Sequence, residues 1–330
     1  MSNRTPKTIG PWGFLSAVLA FSALAFFVPF GSWRDAKIMT SAATVSTTVS
    51  MAGTSVLKHI SLCDADQQHV TAILGDRLKM PVTDLSYGGQ TLTEQAAYLG
   101  TAMHNVHSRV LLASASFADF TRTSQPALRR RLLFSLVSPP YVMSSADNGN
   151  SVSEIILGHD LPLTFDYRGE HFASYDDIKT RYLAVERAHA TCPESTGFNM
   201  RFVQAIYYGT YMTAPADQGA IDLIGRTAKE ARLRNKQFFM VIQPVDFELI
   251  GRLDPTWPEL LKQRIAQLVA KLQSSGVEVI DISDAVPDAA FADRWCACGH
   301  LQSAGRVIMA GRIADELHKR AVSPAAVELN

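Results

Sequence analysis

Short apolar runs that alternate with helical patterns are the feature that most limits how this chain can fold. Strands are predicted at residues 56–63, 81–86, 110–114, 238–242 and 277–282. Helices are predicted between or after them at residues 64–79, 91–106, 257–272 and 302–319. Strands that alternate with helices in this way favour a parallel sheet covered by helices on both faces. The default topology is then an open, doubly wound sheet with right-handed crossovers.

One long stretch interrupts the alternation. About residues 122–219 separate the third predicted strand from the fourth, which is too many for one crossover. We expect a largely helical insertion that lies over the carboxyl edge of the sheet, where ligands bind in such folds. The run Arg129–Arg131 in this insertion has two interpretations, a solvated helix face or a site for an anionic polymer or lipid head group.

The N-terminus carries a second strong signal. No charged residue lies between Lys7 and Arg34, and residues 11–33 are long and apolar enough to cross a bilayer as a helix. Residues 1–34 are therefore predicted to be an uncleaved signal anchor, with a cleaved signal peptide and a buried soluble helix as alternatives. The Ser- and Thr-rich residues 35–55 are predicted to be a linker, and residues 56–330 the α/β domain. This arrangement predicts a single-pass protein of the bacterial inner membrane with its C-terminal domain in the periplasm.

Charge and composition exclude some classes of protein. The 330 residues include 31 Lys and Arg and 31 Asp and Glu, so a nucleic-acid binder that relies on bulk positive charge is not expected. With 47% hydrophobic and 19% charged residues, the chain can bury a sizeable core. Four cysteines are too few for a disulfide-dense scaffold.

Four short segments carry the candidate site residues. In chain order they are Leu62-Cys63-Asp64-Ala65, residues 84–91 with Gly88-Gly89, residues 113–120, and residues 296–305 around His300. Their order resembles the blocks of the SGNH/GDSL hydrolase-like superfamily. The resemblance is strongest to its membrane-anchored branch that works on envelope polymers, such as the alginate O-acetylation and teichoic-acid D-alanylation proteins. It implies a three-layer, flavodoxin-like α/β fold.

Some family roles fall on suitable residues. The resemblance implies that His300, which precedes the last helix, is the catalytic base. It implies that Gly89, next to Gly88, offers a backbone N–H to the oxyanion, although this pair of glycines is equally well a turn into the next helix. Asp119 is expected to cap the turn after the third strand.

Other family roles fall on residues that cannot perform them. The serine nucleophile aligns with Ala65, and the asparagine of the oxyanion hole aligns with Ala118. The aspartate that orients the base aligns with Ala297, and Asp293 is displaced by four residues. A Ser-His-Asp mechanism needs all its parts within hydrogen-bond reach, so a catalytically degenerate member, a pseudoenzyme, is expected.

The cysteines leave several alternatives open. Cys63 near His300 suggests a rebuilt thiol nucleophile, with Asp64 beside it as a further candidate. In an oxidising compartment, disulfides are favoured over inert thiols, and the candidates are Cys63, Cys192, Cys296 and Cys298. Zinc binding by Cys296, Cys298 and His300 is the least favoured alternative, because this spacing is unusual for a structural site. We expect no metal or other cofactor.

These observations lead to three candidate functions. The first is an accessory protein for biosynthesis, export or modification of an extracellular polysaccharide, such as cellulose or an acylated exopolysaccharide. The second is an active O-acyltransferase or acylesterase that uses His300 on an envelope glycan. The third is a scaffold that docks to an inner-membrane synthase or acyltransferase. The expected partners are therefore a polysaccharide or envelope glycan, such a membrane complex, and the bilayer.

Overall fold

The computed structural model describes residues 33–60, 64, 66–121, 124–125, 159–160, 165–167, 170–172, 200–292, 299–320 and 322. The predicted anchor, most of the predicted insertion and all four cysteines lie outside these residues. Within the described residues, no helix combines the length and the apolarity that a membrane span requires. The chain divides into two compact units, residues 1–38 and residues 39–330.

A five-stranded parallel sheet forms the centre of the larger unit. Its strands are β1 (Val49–Gly53), β2 (Val82–Asp84), β3 (Val110–Ala115), β8 (Gln237–Ile242) and β9 (Glu278–Asp281), in the order β2-β1-β3-β8-β9. This is the flavodoxin-like order of a doubly wound sheet, as the sequence predicts. Two small antiparallel pairs lie between β3 and β8 in the chain: β4 (Ser124–Gln125) with β5 (His159–Asp160), and β6 (Phe165–Tyr167) with β7 (Glu170–Phe172).

Nine α-helices are present in the described residues. They are α1 (Trp33–Thr44), α2 (Ser55–Lys58), α3 (Val70–Leu78), α4 (Leu92–Ala102), α5 (Met200–Tyr207), α6 (Gln218–Leu233), α7 (Phe247–Leu253), α8 (Trp257–Ser274) and α9 (Ser303–Lys319). A π-helical segment, Tyr208–Thr213, extends α5, and short 3-10 helices occupy Phe117–Phe120 and Asp288–Ala290.

Helices cover both faces of the sheet. Helices α3 and α9 pack together on one face, against alternate strand residues such as Val49, Met51, Phe239 and Val241, all of them buried. Helices α4, α6 and α8 pack on the other face. The central strands β1 and β3 are buried on both faces, which is usual for a parallel sheet. The predicted three-layer α/β fold is confirmed.

Strand β1 corrects two predictions. Residues 49–53 lie inside the predicted linker, yet they form a fully buried strand between β2 and β3. Residues 56–63 are predicted as a strand, but Ser55–Lys58 forms the short helix α2. The α/β domain therefore includes part of the segment predicted as linker. Small side chains explain the misreading, because Val-Ser-Met-Ala-Gly lacks the bulky β-branched pattern of an obvious strand.

Close packing requires glycine at the end of β1. A Cβ atom added to Gly53 would lie 2.5 Å from Leu57 Cδ1 and 3.1 Å from both Cβ and the backbone O of Ser114. The end of β1 therefore admits only glycine without movement of its neighbours. This close approach lets α2 begin immediately after the strand.

The other predicted elements agree with the structure within a few residues. Strands β2, β3, β8 and β9 and helices α4, α8 and α9 match, whereas the helix predicted at residues 64–79 begins later, as α3 at Val70. Helix α6 starts at Gln218, so the crossover to β8 begins at the predicted end of the insertion.

Candidate active site

Ser55 lies at the carboxyl edge of the sheet, directly after β1. Gly53 ends the strand, Thr54 is extended, and Ser55 is the first residue of α2. The sequence at this turn is Gly53-Thr54-Ser55, in which a strand is followed by glycine, a polar residue and serine. The first strand of the sheet is thus β1 rather than residues 56–63, and the serine that follows it is Ser55. Ala65, on which the nucleophile position falls in the resemblance, lies outside the described residues.

His300 reaches the same edge from the far end of the chain. The His300 backbone O accepts a hydrogen bond from Ala292 N at 2.8 Å, beside an antiparallel bridge between Phe291 and Leu301. Gly299, which precedes the histidine, has a φ of 67°, a left-handed conformation that favours glycine. The position of His300 is thus fixed by its backbone before α9 begins.

The two side chains meet. His300 Nε2 lies 2.9 Å from Ser55 Oγ, a hydrogen-bond distance. His300 is thus placed to accept the hydroxyl proton of Ser55, as a general base does. This separation joins residues that are 245 positions apart in the chain, and it is the central geometric fact of the site.

A second histidine packs on the first. The rings of His59 and His300 are stacked, with centroids 4.0 Å apart and planes within 8° of parallel. His59 follows α2, and its backbone N donates to Ser55 O at 2.6 Å. The turn that presents Ser55 therefore also supplies a flat surface for His300. No pattern in the sequence predicts this contact, because His59 lies outside the four segments that carry the candidate site residues.

The loop between β2 and α4 brings the predicted glycines to the site. Leu85 N donates to Met51 O and Tyr87 N donates to Gly53 O, so this loop follows the end of β1. A Cβ atom added to Gly88 would lie 3.8 Å from Ser55 Cβ, which places Gly88 beside the candidate nucleophile. Gly89 has a φ of 74° and open space around its Cα. Both predicted glycines therefore belong to the loop that borders Ser55.

The side-chain amide of Gln243 forms hydrogen bonds that connect the ends of β1, β3 and β8. Gln243 follows β8 and is 1% exposed. Its Nε2 donates to Thr54 Oγ1 at 3.1 Å and to Ser114 Oγ at 3.0 Å. Gln95 of α4 bonds the backbone of Ser114 from the other side, through both its amide atoms. Gln243 thus fixes the residue that precedes Ser55, a role that the sequence did not reveal.

The third block behaves structurally as predicted. Asp119 Oδ2 accepts hydrogen bonds from Ser116 N at 2.7 Å and from Ser116 Oγ at 2.9 Å, which closes a capping box at the 3-10 turn after β3. The prediction that Asp119 caps this turn is confirmed. Ala118 is buried in the same turn, and its methyl group cannot donate to an oxyanion.

Asp64 has a structural contact rather than one with His300. Its Oδ2 lies 2.7 Å from Nη1 of Arg306, whose side chain is completely buried. The guanidinium also donates to the backbone O atoms of Asp66, Gln68 and Leu301. Arg306 therefore fastens the segment after α2 to the residue that follows His300.

A surface ion pair supports the same region. Lys58 Nζ at the end of α2 lies 2.8 Å from Asp84 Oδ2 at the end of β2. Asp84 also accepts a hydrogen bond from Thr71 Oγ1 at 2.8 Å. Burial, and then the charge of Lys58, lower the pKa of His69, which precedes α3. A neutral His69 is therefore favoured beside this cation.

Several predicted site residues lie outside the described part of the chain. They are Cys63, Ala65, Cys192, Asp293, Cys296, Ala297 and Cys298. The thiol nucleophile, the disulfides and the zinc alternative thus stay predictions. Among the residues that the structure does describe, no cluster of His, Cys, Asp and Glu side chains is arranged to hold a metal ion.

A serine after the first strand and a histidine before the last helix meet at the carboxyl edge of a flavodoxin-like sheet. The chain has a doubly wound α/β fold with the flavodoxin-like strand order. Solved structures with a similar fold include a GDSL-like lipase from Bacteroides thetaiotaomicron, with a TM-score of 0.41 and 9% identity over 88% of this chain and 98% of that one. A protein provisionally assigned as an SGNH hydrolase from Slackia heliotrinireducens has a TM-score of 0.36 and 14% identity over 81% and 96%.

An aryl esterase from M. smegmatis, solved in an inhibitor-bound form, has a TM-score of 0.33 and 11% identity over 82% of this chain and 99% of that one. No protein-family model matches the chain, and no curated protein sequence matches it. These structures are 14% identical to this chain or less, so they show nothing about the roles of Ser55 and His300.

Proposed function

We propose that this chain is a serine-dependent ester hydrolase or O-acyltransferase in which Ser55 is the nucleophile and His300 is the general base. The observation that carries the proposal is the 2.9 Å separation of Ser55 Oγ and His300 Nε2 at the carboxyl edge of the sheet. A weak nucleophile becomes effective when an adjacent base can take its proton, and this pair has that arrangement.

The proposed reaction has two halves. In the first, Ser55 Oγ attacks the ester carbonyl carbon while its proton passes to His300 Nε2. The tetrahedral intermediate then loses the alcohol, which receives that proton, and an acyl-serine remains. In the second half, His300 takes a proton from water or from an acceptor hydroxyl, which attacks the carbonyl carbon of the acyl-serine. The second tetrahedral intermediate then expels Ser55 Oγ, which takes that proton back from His300. Water as acceptor makes the chain an esterase, and a sugar hydroxyl makes it an acyltransferase.

The β2–α4 loop beside Ser55 could accommodate the oxyanion of the tetrahedral intermediate. The β2–α4 loop carries no side chain at Gly88 or Gly89, so its backbone can come close to a substrate beside Ser55. The family resemblance implies that the Gly89 N–H is one donor. Ala118 cannot provide the amide that the family uses as a further donor. We therefore expect a slower enzyme than one with a complete oxyanion hole.

The substrate and the compartment are proposals that rest on the resemblance and on the apolar run at residues 11–33. An acylated extracellular polysaccharide or other envelope glycan is the proposed substrate class. The proposed location is the periplasmic side of a bacterial inner membrane, with the chain anchored by that run. A membrane synthase or acyltransferase complex is the proposed partner.

A non-catalytic accessory role in extracellular polysaccharide biosynthesis is the second candidate. The observation that favours it is Ala118, because loss of an oxyanion donor costs about 10²–10³-fold in rate in other serine enzymes. In that case the same edge of the sheet would bind the glycan without cleaving it. A scaffold for a membrane complex would use the same fold.

Aryl acetate hydrolysis by the full-length protein tests the first candidate. Ser55→Ala and His300→Ala should each lower kcat by about 10³-fold or more, because each removes one part of the pair. Ser274→Ala is the matched control, since this exposed serine lies at the end of α8. A fluorophosphonate probe should modify Ser55 in the wild-type protein and leave Ser55→Ala unlabelled. If wild type and the three variants hydrolysed the ester equally and the probe did not label Ser55, the enzyme proposal would be wrong. The non-catalytic accessory role would then be the remaining candidate.

A further inference from the structure

An open cavity, here called the α6 cavity, lies between helix α6 and the end of helix α8. Its volume is about 320 Å³, and its lining residues are Asp222, Gly225, Arg226, Lys229, Arg232 and Ser275. Sites for small molecules usually have volumes of about 300–1,000 Å³. Ser275 comes just before β9, at the amino edge of the sheet, whereas Ser55 and His300 meet at the carboxyl edge. The α6 cavity is therefore separate from the candidate active site.

Two glycines shape the wall of this cavity. A Cβ atom added to Gly225 would lie 3.1 Å from Ser275 Cβ and 3.4 Å from Ser275 O, so the glycine lets α6 come close to the end of α8. A Cβ atom added to Gly276 would lie 2.7 Å from Nη2 of Arg232. The Arg232 guanidinium thus lies against the turn after α8. The helix and the turn together hold this cation at the cavity.

Three cations line the cavity from α6. Arg226, Lys229 and Arg232 follow one another at intervals of three residues, a spacing that makes them neighbours on the surface of a helix. Within the described part of the chain, no carboxylate pairs with any of the three, whereas Arg234 of the same helix pairs with Glu230 at 2.9 Å. Neighbouring like charges destabilise a helix, so a bound anion would relieve this repulsion.

The end of α8 does not neutralise these cations. The C-terminus of a helix carries a partial charge of about −0.5, which offsets only part of one cation. Asp222 adds one negative charge to the lining. The cavity therefore keeps a net positive charge of about 1.5, close in size to the charge of a phosphate monoester at neutral pH.

The lining indicates which other groups such an anion carries. Arginine guanidinium groups bind phosphoryl oxygens through paired N–H groups, so the cationic part of the cavity suits a phosphoryl group. Asp222, at the start of the row, accepts a hydrogen bond from Gln218 Nε2 at 2.8 Å through Oδ1. Its carboxylate repels a phosphoryl group but accepts hydrogen bonds from hydroxyl groups. A sugar phosphate has both kinds of group.

We propose that the α6 cavity binds a sugar phosphate. Arg226, Lys229 and Arg232 hold the phosphoryl group, and Asp222 accepts a hydrogen bond from a hydroxyl of the sugar. The volume is at the small end of the range for ligand sites, which suits a single sugar unit. This binding site lies beyond the proposed reaction and does not depend on it.

Isothermal titration calorimetry of the full-length protein with glucose 6-phosphate at low ionic strength tests the proposal. We expect a Kd of about 1 mM or lower, and no binding of glucose. Arg226→Gln should weaken binding about tenfold or more, because charge-assisted hydrogen bonds are lost. Arg312→Gln removes an equal charge from the exposed face of α9 and should bind like wild type. Ser55→Ala should also bind like wild type, which separates this site from the proposed reaction.

Inorganic phosphate and Asp222→Ala test the sugar part of the proposal. Asp222→Ala should weaken binding of glucose 6-phosphate, because the hydroxyl acceptor is lost. The same variant should bind inorganic phosphate at least as tightly as wild type does, because a negative charge is removed. If wild type bound phosphate as tightly as glucose 6-phosphate, the cavity would recognise no sugar, and that part would be wrong. Absence of binding, or equal affinity of Arg226→Gln and Arg312→Gln, would overturn the whole proposal.

Discussion

The imidazole rings of His59 and His300 lie face to face, 4.0 Å apart between centroids and within 8° of parallel. Because His59 bonds the Ser55 backbone through its own N–H, the turn that holds Ser55 also holds the stacking ring. The ring of His59 contacts the ring of His300 and takes no part in the proposed reaction. We regard His59 as a positioning residue for His300.

Loss of the stacking ring should disturb catalysis more than binding. His59→Ala should lower kcat for aryl acetate hydrolysis by about 10–100-fold, because the His300 ring can then rotate away from Ser55. KM should change little. His59→Phe keeps a flat ring and should restore most of kcat. Exposed His107→Ala is the control and should resemble wild type. Equal activity of His59→Ala and wild type would show that the stack does not position His300.

Replacement of the Gln243 amide should lower both the stability of the fold and the activity. Gln243→Leu leaves the buried hydroxyl of Ser114 and the hydroxyl of Thr54 without this partner, so we expect the free energy of unfolding to fall by about 1–3 kcal/mol. Activity should fall as well, because Thr54 precedes Ser55. Urea unfolding followed by fluorescence, with kcat measured on the folded protein, gives both quantities.

A glutamine on the surface serves as the comparison for Gln243. Gln273→Leu changes an exposed glutamine of α8 and should alter neither the unfolding midpoint nor kcat. If Gln243→Leu were as stable and active as Gln273→Leu, the amide would have no part in holding the strand ends. A loss of stability with full kcat would confine its role to the fold.

Glu316 should make a small contribution to stability that depends on pH. Hydrogen bonds from Lys319 and Arg320 lower the pKa of Glu316, and each of these cations lies 2.6 Å from the carboxylate. A carboxylate with a lowered folded-state pKa stabilises the fold at pH values above its unfolded-state pKa. This contribution is lost as the pH falls through the folded-state value. Glu316→Gln should cost a few tenths of a kcal/mol at neutral pH, since the group is near the surface.

Thermal unfolding of wild type and Glu316→Gln across the acidic range checks this sign. The difference in Tm should be present at pH 7 and should vanish as the pH falls below the folded-state pKa of Glu316. A difference that grew toward acid pH would contradict the assignment of the stabilising form to the carboxylate.

The sequence predicts four of the five strands of the sheet and misses β1. Strands β3, β8 and β9 are rich in Val, Ile, Leu, Phe and Met, and their pattern is unambiguous. Strand β1 contains Ser, Ala and Gly and so resembles a linker, and glycine is required at its last residue, Gly53, because Leu57 of α2 lies so close. Tertiary packing, which no local pattern shows, determines that these residues form a strand.

Because β1 is not predicted, the segment that the resemblance places after the first strand is predicted about ten residues too late in the chain. The pattern of residues 56–63 favours a strand there, which puts the nucleophile position of the resemblance on Ala65 and leaves Ser55 in a linker. The segments of Gly88 and His300 have distinctive glycines near a helix start, and the structure brings both residues close to Ser55. His59 and Gln243 could not be predicted, since a ring stack and a bridging amide depend on contacts between distant parts of the chain.

Arg306 should be the most sensitive charged residue of the domain. Its buried guanidinium binds Asp64 and the backbone O atoms of Asp66, Gln68 and Leu301. Arg306→Met keeps much of the volume but leaves a largely buried carboxylate and three backbone acceptors without this donor. Loss of one partner of a buried ion pair costs about 3–5 kcal/mol, and we expect a loss of that size in urea unfolding. Because Leu301 follows His300, activity should fall in the protein that remains folded.

Two further variants separate the ion pair from the backbone contacts. Asp64→Asn removes the carboxylate charge and leaves the guanidinium bound to three backbone O atoms, so its cost should be clearly smaller than that of Arg306→Met. Exposed Arg312→Met, on the same helix α9, should leave stability within about 0.5 kcal/mol of wild type. If Asp64→Asn were as destabilising as Arg306→Met, the charge pair alone would hold the segment. In that case the backbone contacts of Arg306 would contribute little to the placement of His300.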